Sequence, residues 1–171
     1  MDIPSWKYAI ENVKLVLSLD KEVKKKAQGY GLVYKDRRGL MVVDVVASRQ
    51  RKYLEYVVPK LLPQYEIKAV DLSLKSLAMK APTWMPLRVG EAKVMQSVAK
   101  VLLDFGGKKK IKDENEICLA WARDSTTHSD ILNIKGIGPA LLQYLRMRSG
   151  ADSVKIDVRV MEELKKLRIP I

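Results

Sequence analysis

The sequence predicts a mainly helical protein, and three observations carry that expectation. Apolar residues recur at helical spacing through most of the 171 residues. Strand propensity is confined to one short stretch, around residues 30–47. Two glycines, Gly136 and Gly138, sit between two helical patterns as a tight turn would require. No internal repeat or low-complexity segment interrupts the chain.

Taken in order, residues 5–27 place Trp6, Ile10, Val13, Val16 and Leu17 on one face, with Lys7, Glu11 and Lys14 opposite, which predicts an amphipathic helix. Asp20 and Lys24–Lys26 mark a solvated end or a second short helix. Residues 30–35, 36–39 and 40–47 read locally as a β-hairpin, because Val42, Val43, Val45 and Val46 favour strands; a buried helix is the alternative. From Arg51 the pattern is helical, with Tyr53, Leu54, Val57, Val58, Leu61 and Leu62 as its apolar stripe and Pro59 as a kink or an end. Residues 71–79 form a short helix and residues 81–86 a loop carrying Trp84. Residues 88–103 are the clearest helix, with Gly106-Gly107 as its stop and Lys108–Lys110 beyond. Residues 113–123 make another.

Composition narrows the function. There are 32 Lys and Arg against 20 Asp and Glu, a net charge of +12 and a pI near 9.7. Such an excess attracts polyanions, of which nucleic acid is the commonest for a soluble basic protein. Cys118 is the sole cysteine and His128 the sole histidine. Disulfides within the chain, a cysteine-ligated iron–sulfur cluster and a conventional zinc site are therefore not expected, and no metal ligands are assigned. No apolar run approaches the roughly 20 residues that span a bilayer, and no signal peptide is visible. The expectation is a soluble, intracellular (cytoplasmic) protein with no membrane partner.

The most informative segment is residues 130–148. Ile131, Leu132 and Ile134 lead into Gly136-Ile137-Gly138, and Pro139 opens a second helix at the position where proline is favoured. The glycines allow the backbone to approach a ligand closely. The unpaired amides and dipole of the second helix make an anion site, with Lys135 beside it. Such a helix-hairpin-helix grips a DNA phosphate without reading sequence; an ordinary corner between two helices would look similar. A glycine loop, Ser149-Gly150, then leads through Val154 and Ile156 to Asp157.

This run, residues 134–160, resembles the signature of the helix-hairpin-helix DNA glycosylase superfamily, the endonuclease III family. The likeness extends upstream. Residues 40–53, with Ala47-Ser-Arg-Gln50, look like the family's buried helix ending in a DNA-probing glutamine, and Gly90-Glu-Ala-Lys-Val94 resembles the segment whose helix precedes the hairpin. About residues 40–165 are covered. On this resemblance residues 40–47 are expected to be helix rather than strand, and the fold to be all-α and two-lobed. A single compact domain over residues 1–171 would have one lobe at about 39–133. The N-terminal helix and about 134–171 would form the other, with DNA in the cleft between them.

The resemblance assigns roles residue by residue. Asp157 occupies the place of the family's catalytic carboxylate, which stabilises the oxocarbenium-like sugar or activates the nucleophile; Asp157 also fits an N-cap for a helix after it. Ala140 stands where bifunctional members carry the Schiff-base lysine. Lyase chemistry is therefore not expected, and a monofunctional glycosylase using water is. Gln50 matches the residue that fills the gap left by a flipped base, or is a surface residue at a helix end. Arg49, Arg51 and Lys52 beside it suit phosphates, and Lys135, Gly136, Ile137, Gly138 and Ala140 form the hairpin contact. Arg146, Arg148, Lys155 and Arg159 are placed on the same surface. Trp84 and Tyr144 are base-pocket candidates, Tyr144 having core or cleft wall as its other reading. Trp121 and Cys118 read as core, and His128 as a cap or surface residue. No organic cofactor is expected; relatives hold a monovalent cation on the hairpin carbonyls. The expected partner is double-stranded DNA with a lesion or mismatch, bound by a monomer. A non-catalytic helix-hairpin-helix DNA binder is the alternative.

Overall fold

The computed structural model describes Gly29, residues 31–151 and Lys166. Among the described residues there are seven α-helices, one π-helical stretch, one short 3-10 turn and no strand. Expectations for residues 5–27, for Asp157 and its following helix, and for Lys155 and Arg159 lie outside the described residues.

Helix α1 (Arg38–Ala47) is the axis of the fold. All ten of its residues are buried, and most of the other described helices pack against it. The valine-rich run that favours strand is thus helical. A helix apolar on every side is stable only when other elements cover it all round, and here they do. Gly39 permits the tight approach at its start, where the Gly39 amide donates to the Leu72 carbonyl at 2.7 Å and an added Cβ would collide with the Leu72–Ser73 backbone.

After the loop at residues 48–52 the chain enters a π-helical stretch, Tyr53–Leu61, that contains Pro59 and continues directly into α2 (Leu62–Lys68). The expected regular α-stripe is not met. In a π-helix the bonds run i→i+5, so Val57 and Leu61 are buried while Leu54 and Val58 turn outward. Proline lacks the amide that either ladder would need there, and the irregular stretch accommodates it.

Helix α3 (Leu74–Met79) is capped by the Ser73 hydroxyl, and the Glu114 carboxylate accepts from the Leu74 and Lys75 amides at 2.7 and 3.1 Å. Helix α4 (Glu91–Lys109) starts later than the spacing predicts and runs through Gly106-Gly107. The reason is packing: Gly106 is buried, and a Cβ there would collide with the Ile117 side chain. It is a contact point for α5 (Glu114–Arg123), not a stop. Termination falls to Lys110, in left-handed conformation at φ 58°. Asp113 caps α5 by accepting from the Glu116 amide.

A 3-10 turn (Ser125–Thr127) leads into α6 (His128–Leu132), and α7 (Pro139–Arg148) follows the hairpin. One hydrophobic core extends from Tyr34 to Leu145 and includes Trp121 and Cys118, as expected. Burial pushes the Cys118 thiol up to about 12. His128 is buried instead of capping the surface: its ring packs 5.2 Å from that of Trp121 and its Nε2 lies 3.3 Å from the Trp121 carbonyl. Burial lowers its basicity. Among the described residues no helix is long and apolar enough to cross a membrane.

Candidate nucleic-acid interface

The hairpin has the local geometry its glycines imply. The Ile134 carbonyl accepts from the Ile137 amide at 2.9 Å, closing the turn. Gly136 lies at φ +105°, a region costly for any residue with a Cβ. Ile137 is buried and anchors the turn in the core, while Lys135 is exposed. Gly138 is extended, at φ −113° and ψ 177°, and caps α7 with no side chain. An added Cβ at Gly138 would meet nothing within 4 Å. The approach to the first amides of α7 is therefore open, and first-turn amides have no partner within the helix. Ala140 sits on that turn, half-buried, with no amine to offer.

A cleft of about 650 Å³ lies between this turn and the start of α4. Val94 and Ile134 form apolar parts of its wall; Arg49, Lys93 and Lys135 bring three cations. Arg49 spans it: its Nη1 donates to the Gly136 carbonyl at 3.1 Å and its Nη2 lies 3.7 Å from Glu91 Oε1. The cleft thus brings Arg49 together with the hairpin residues Ile134, Lys135 and Gly136.

Gln50 is exposed at the tip of its loop, in left-handed conformation at φ 51°. Arg88 holds it there, donating to the Gln50 backbone carbonyl at 2.8 Å and to its Oε1 at 3.1 Å. Neither Arg88 nor Glu91 stands out in the sequence. An acidic residue in a helix first turn is ordinary, and its arginine partners lie some 40 residues away.

Three sequence assignments need correction. Arg51 does not face solvent: its side chain is 7% exposed and makes a two-pronged pair with buried Glu91, at 3.0 and 2.6 Å. Tyr144 is core rather than base pocket. Its hydroxyl donates to Asp44 Oδ2 at 3.0 Å, lies 3.2 Å from the Tyr53 hydroxyl, and accepts from Arg148 Nε and Nη2 at 3.0 and 2.7 Å. Arg148 is likewise buried, 3.3 Å from Asp44 Oδ2, so it does not reach a DNA-facing surface. The physical reason is shared: Asp44 stands amid valines in α1, fully buried, and a buried carboxylate has to be paired. That lone acid inside an apolar run is the signal that would have found the cluster. Burial, reinforced by Asp44, raises the Tyr34 and Tyr144 hydroxyls well above the usual phenol range.

Trp84 is part-exposed but lies away from the hairpin. It stacks on Tyr65 at 6.0 Å between ring centroids, with Lys68 Nζ 5.8 Å from its own centroid. Trp84 is thus partly exposed beside Tyr65, whereas Tyr144 lies in the core. Arg146 donates to the Ala122 carbonyl and to Gln143. Among the described residues no group of acidic, histidine or cysteine side chains could hold a metal ion. No family model, curated protein or solved structure matches the chain.

Proposed function

We propose that this protein is a DNA base-excision glycosylase that grips duplex DNA through the hairpin at residues 135–138 and hydrolyses the N-glycosidic bond of a damaged or mismatched base. The observation that supports it is the hairpin: an uncapped α7 N-terminus with an open approach at Gly138, beside a cleft carrying Arg49, Lys93 and Lys135. Amides that lack protein acceptors, set among cations, suit a phosphodiester.

In this reading the lobe built on α1–α6 meets the lobe that begins at the hairpin, and DNA lies across their junction. Gln50, presented by Arg88, enters the duplex where the base has left. Asp157 stabilises the sugar as positive charge develops, while water adds to C1′ and the base departs with its bonding electrons and a proton. Ala140 supplies no nucleophile, so no Schiff base forms. A monovalent cation at the hairpin would have to share the Ile134 and Gly136 carbonyls with donors they already accept; each carbonyl has a second lone pair, and no step is assigned to the ion. The protein acts as a monomer on double-stranded DNA.

The test is a panel of duplexes carrying uracil, alkylated and oxidised bases, with abasic sites detected after incubation with the native protein and Asp157→Asn. Release from at least one substrate, lost in the variant by on the order of 10²–10⁴, is expected. No release from any duplex would remove the enzymatic part. A covalent adduct trapped by borohydride would overturn the exclusion of lyase chemistry.

A second reading is a non-catalytic DNA binder. The sealing of Tyr144 inside the core favours it, because it removes one of the two base-pocket candidates. Binding without base release is its expected result.

A further inference from the structure

We infer that Glu91 is a positioning residue that presets the DNA-facing surface, tying the Gln50 loop and the hairpin turn into one unit; this rests on the DNA-binding reading above. Glu91 is the first residue of α4 and is 1% exposed. Its carboxylate serves three segments. It binds Arg51 through both oxygens, at 3.0 and 2.6 Å, and the Arg51 guanidinium in turn donates to the Ala47 carbonyl at the end of α1. It accepts from the Arg88 amide at 3.0 Å, fixing the residue whose side chain holds Gln50. Its Oε1 lies 3.7 Å from Arg49, whose other nitrogen donates to the Gly136 carbonyl.

Charge explains why one acid is needed. Arg49, Arg51 and Arg88 converge on this corner, and Glu91 is the carboxylate bonded among them. Without it the Arg49 and Arg51 guanidiniums lose the carboxylate they share, and Arg51 becomes a buried cation without that counter-charge. With it these two arginines are held in place while net positive charge remains for phosphates. The left-handed backbone of Gln50 is consistent with a residue kept in a strained pose by its partners.

The test uses Glu91→Gln, the charge-retaining Glu91→Asp, and Val98→Ala as a control elsewhere on α4. Amide exchange and duplex affinity are measured at a temperature where circular dichroism shows each variant folded. Glu91→Gln is expected to speed exchange at residues 134–142 and to weaken duplex binding about tenfold, with Glu91→Asp intermediate. Val98→Ala is expected to lower stability while leaving both unchanged. In an Arg49→Met background, Glu91→Gln is expected to add nothing at the hairpin. Wild-type exchange at the hairpin in Glu91→Gln, or an effect matched by Val98→Ala, would overturn the inference. If Glu91→Gln does not fold, Arg49→Met and Arg88→Ala replace it. Each should loosen only its own segment, residues 134–138 and 48–52 respectively, and neither doing so refutes the coupling. Native protein that binds no DNA would sink the DNA reading alone, since the exchange measurements still decide the coupling.

Discussion

The two halves of α7 treat polar groups in opposite ways. At its start, Gly138 and Ala140 leave backbone donors facing an open approach, with Lys135 exposed beside them. On its later turns, Tyr144 and Arg148 are spent on Asp44 of α1 in a closed network. One helix therefore joins the hairpin turn to the core. A basic or aromatic residue on it contributes to binding only if no internal partner has claimed it. Both cations of this helix, Arg146 and Arg148, make bonds to other parts of the fold.

The largest effect expected is at the closed end. Asp44→Ala removes the carboxylate that faces the buried Arg148 guanidinium, and should cost about 3–5 kcal/mol in denaturant unfolding, whereas Lys135→Ala should stay within about 0.5 kcal/mol of native. Equal losses would erase the contrast. Next comes a pair at the open end. Gly136→Ala meets both φ +105° and the Arg49 Nη1 atom at 2.8 Å, and should lose about 1–3 kcal/mol. Gly138→Ala, extended and unobstructed, should leave stability nearly unchanged while weakening duplex binding, because its methyl stands where a phosphate approaches. If Gly138→Ala bound DNA as well as native protein, the open face would not be the contact.

Alkaline titration isolates the closed side. Groups whose proton is held more tightly in the folded state stabilise it fully below their unfolded values and lose that contribution as pH rises. For Cys118 the window runs from its ordinary 9 to about 12, and Tyr65, pushed up to about 12, behaves likewise. Unfolding free energy should therefore fall from about pH 9 upward, and Cys118→Ala should flatten part of that slope. An unchanged slope would contradict a buried thiol. The smallest effect belongs to the cleft lysines. Lys93→Ala and Lys135→Ala should each reduce the log–log salt dependence of duplex affinity by about 0.9, with melting temperature unchanged. A slope that stays put means that side chain touches no phosphate.

Legibility followed the range of the interaction. The hairpin was readable because Gly-Ile-Gly-Pro is a local instruction: φ > 0 at Gly136, and a proline compatible with a helix first turn. The caps at Ser73 and Asp113 are equally local. Residues 40–47 were not readable from propensity, since the valines there favour strand and only encirclement by other helices makes a helix of them. The stop expected at Gly106 failed for the same reason: the glycine answers to Ile117 in another helix. Arg51 and Arg148 were misplaced because their partners, Glu91 and Asp44, are remote in sequence.

By itself the sequence determined the mainly helical class, the position of the hairpin and the basic balance of the chain, because periodicity, turn chemistry and net charge are local or additive. Which cations face outward was decided only by the tertiary structure. A buried acid captures whichever arginine packing brings to it, and the two cases here, Glu91 with Arg51 and Asp44 with Arg148, are pairings across 40 and about 100 residues that no local pattern encodes.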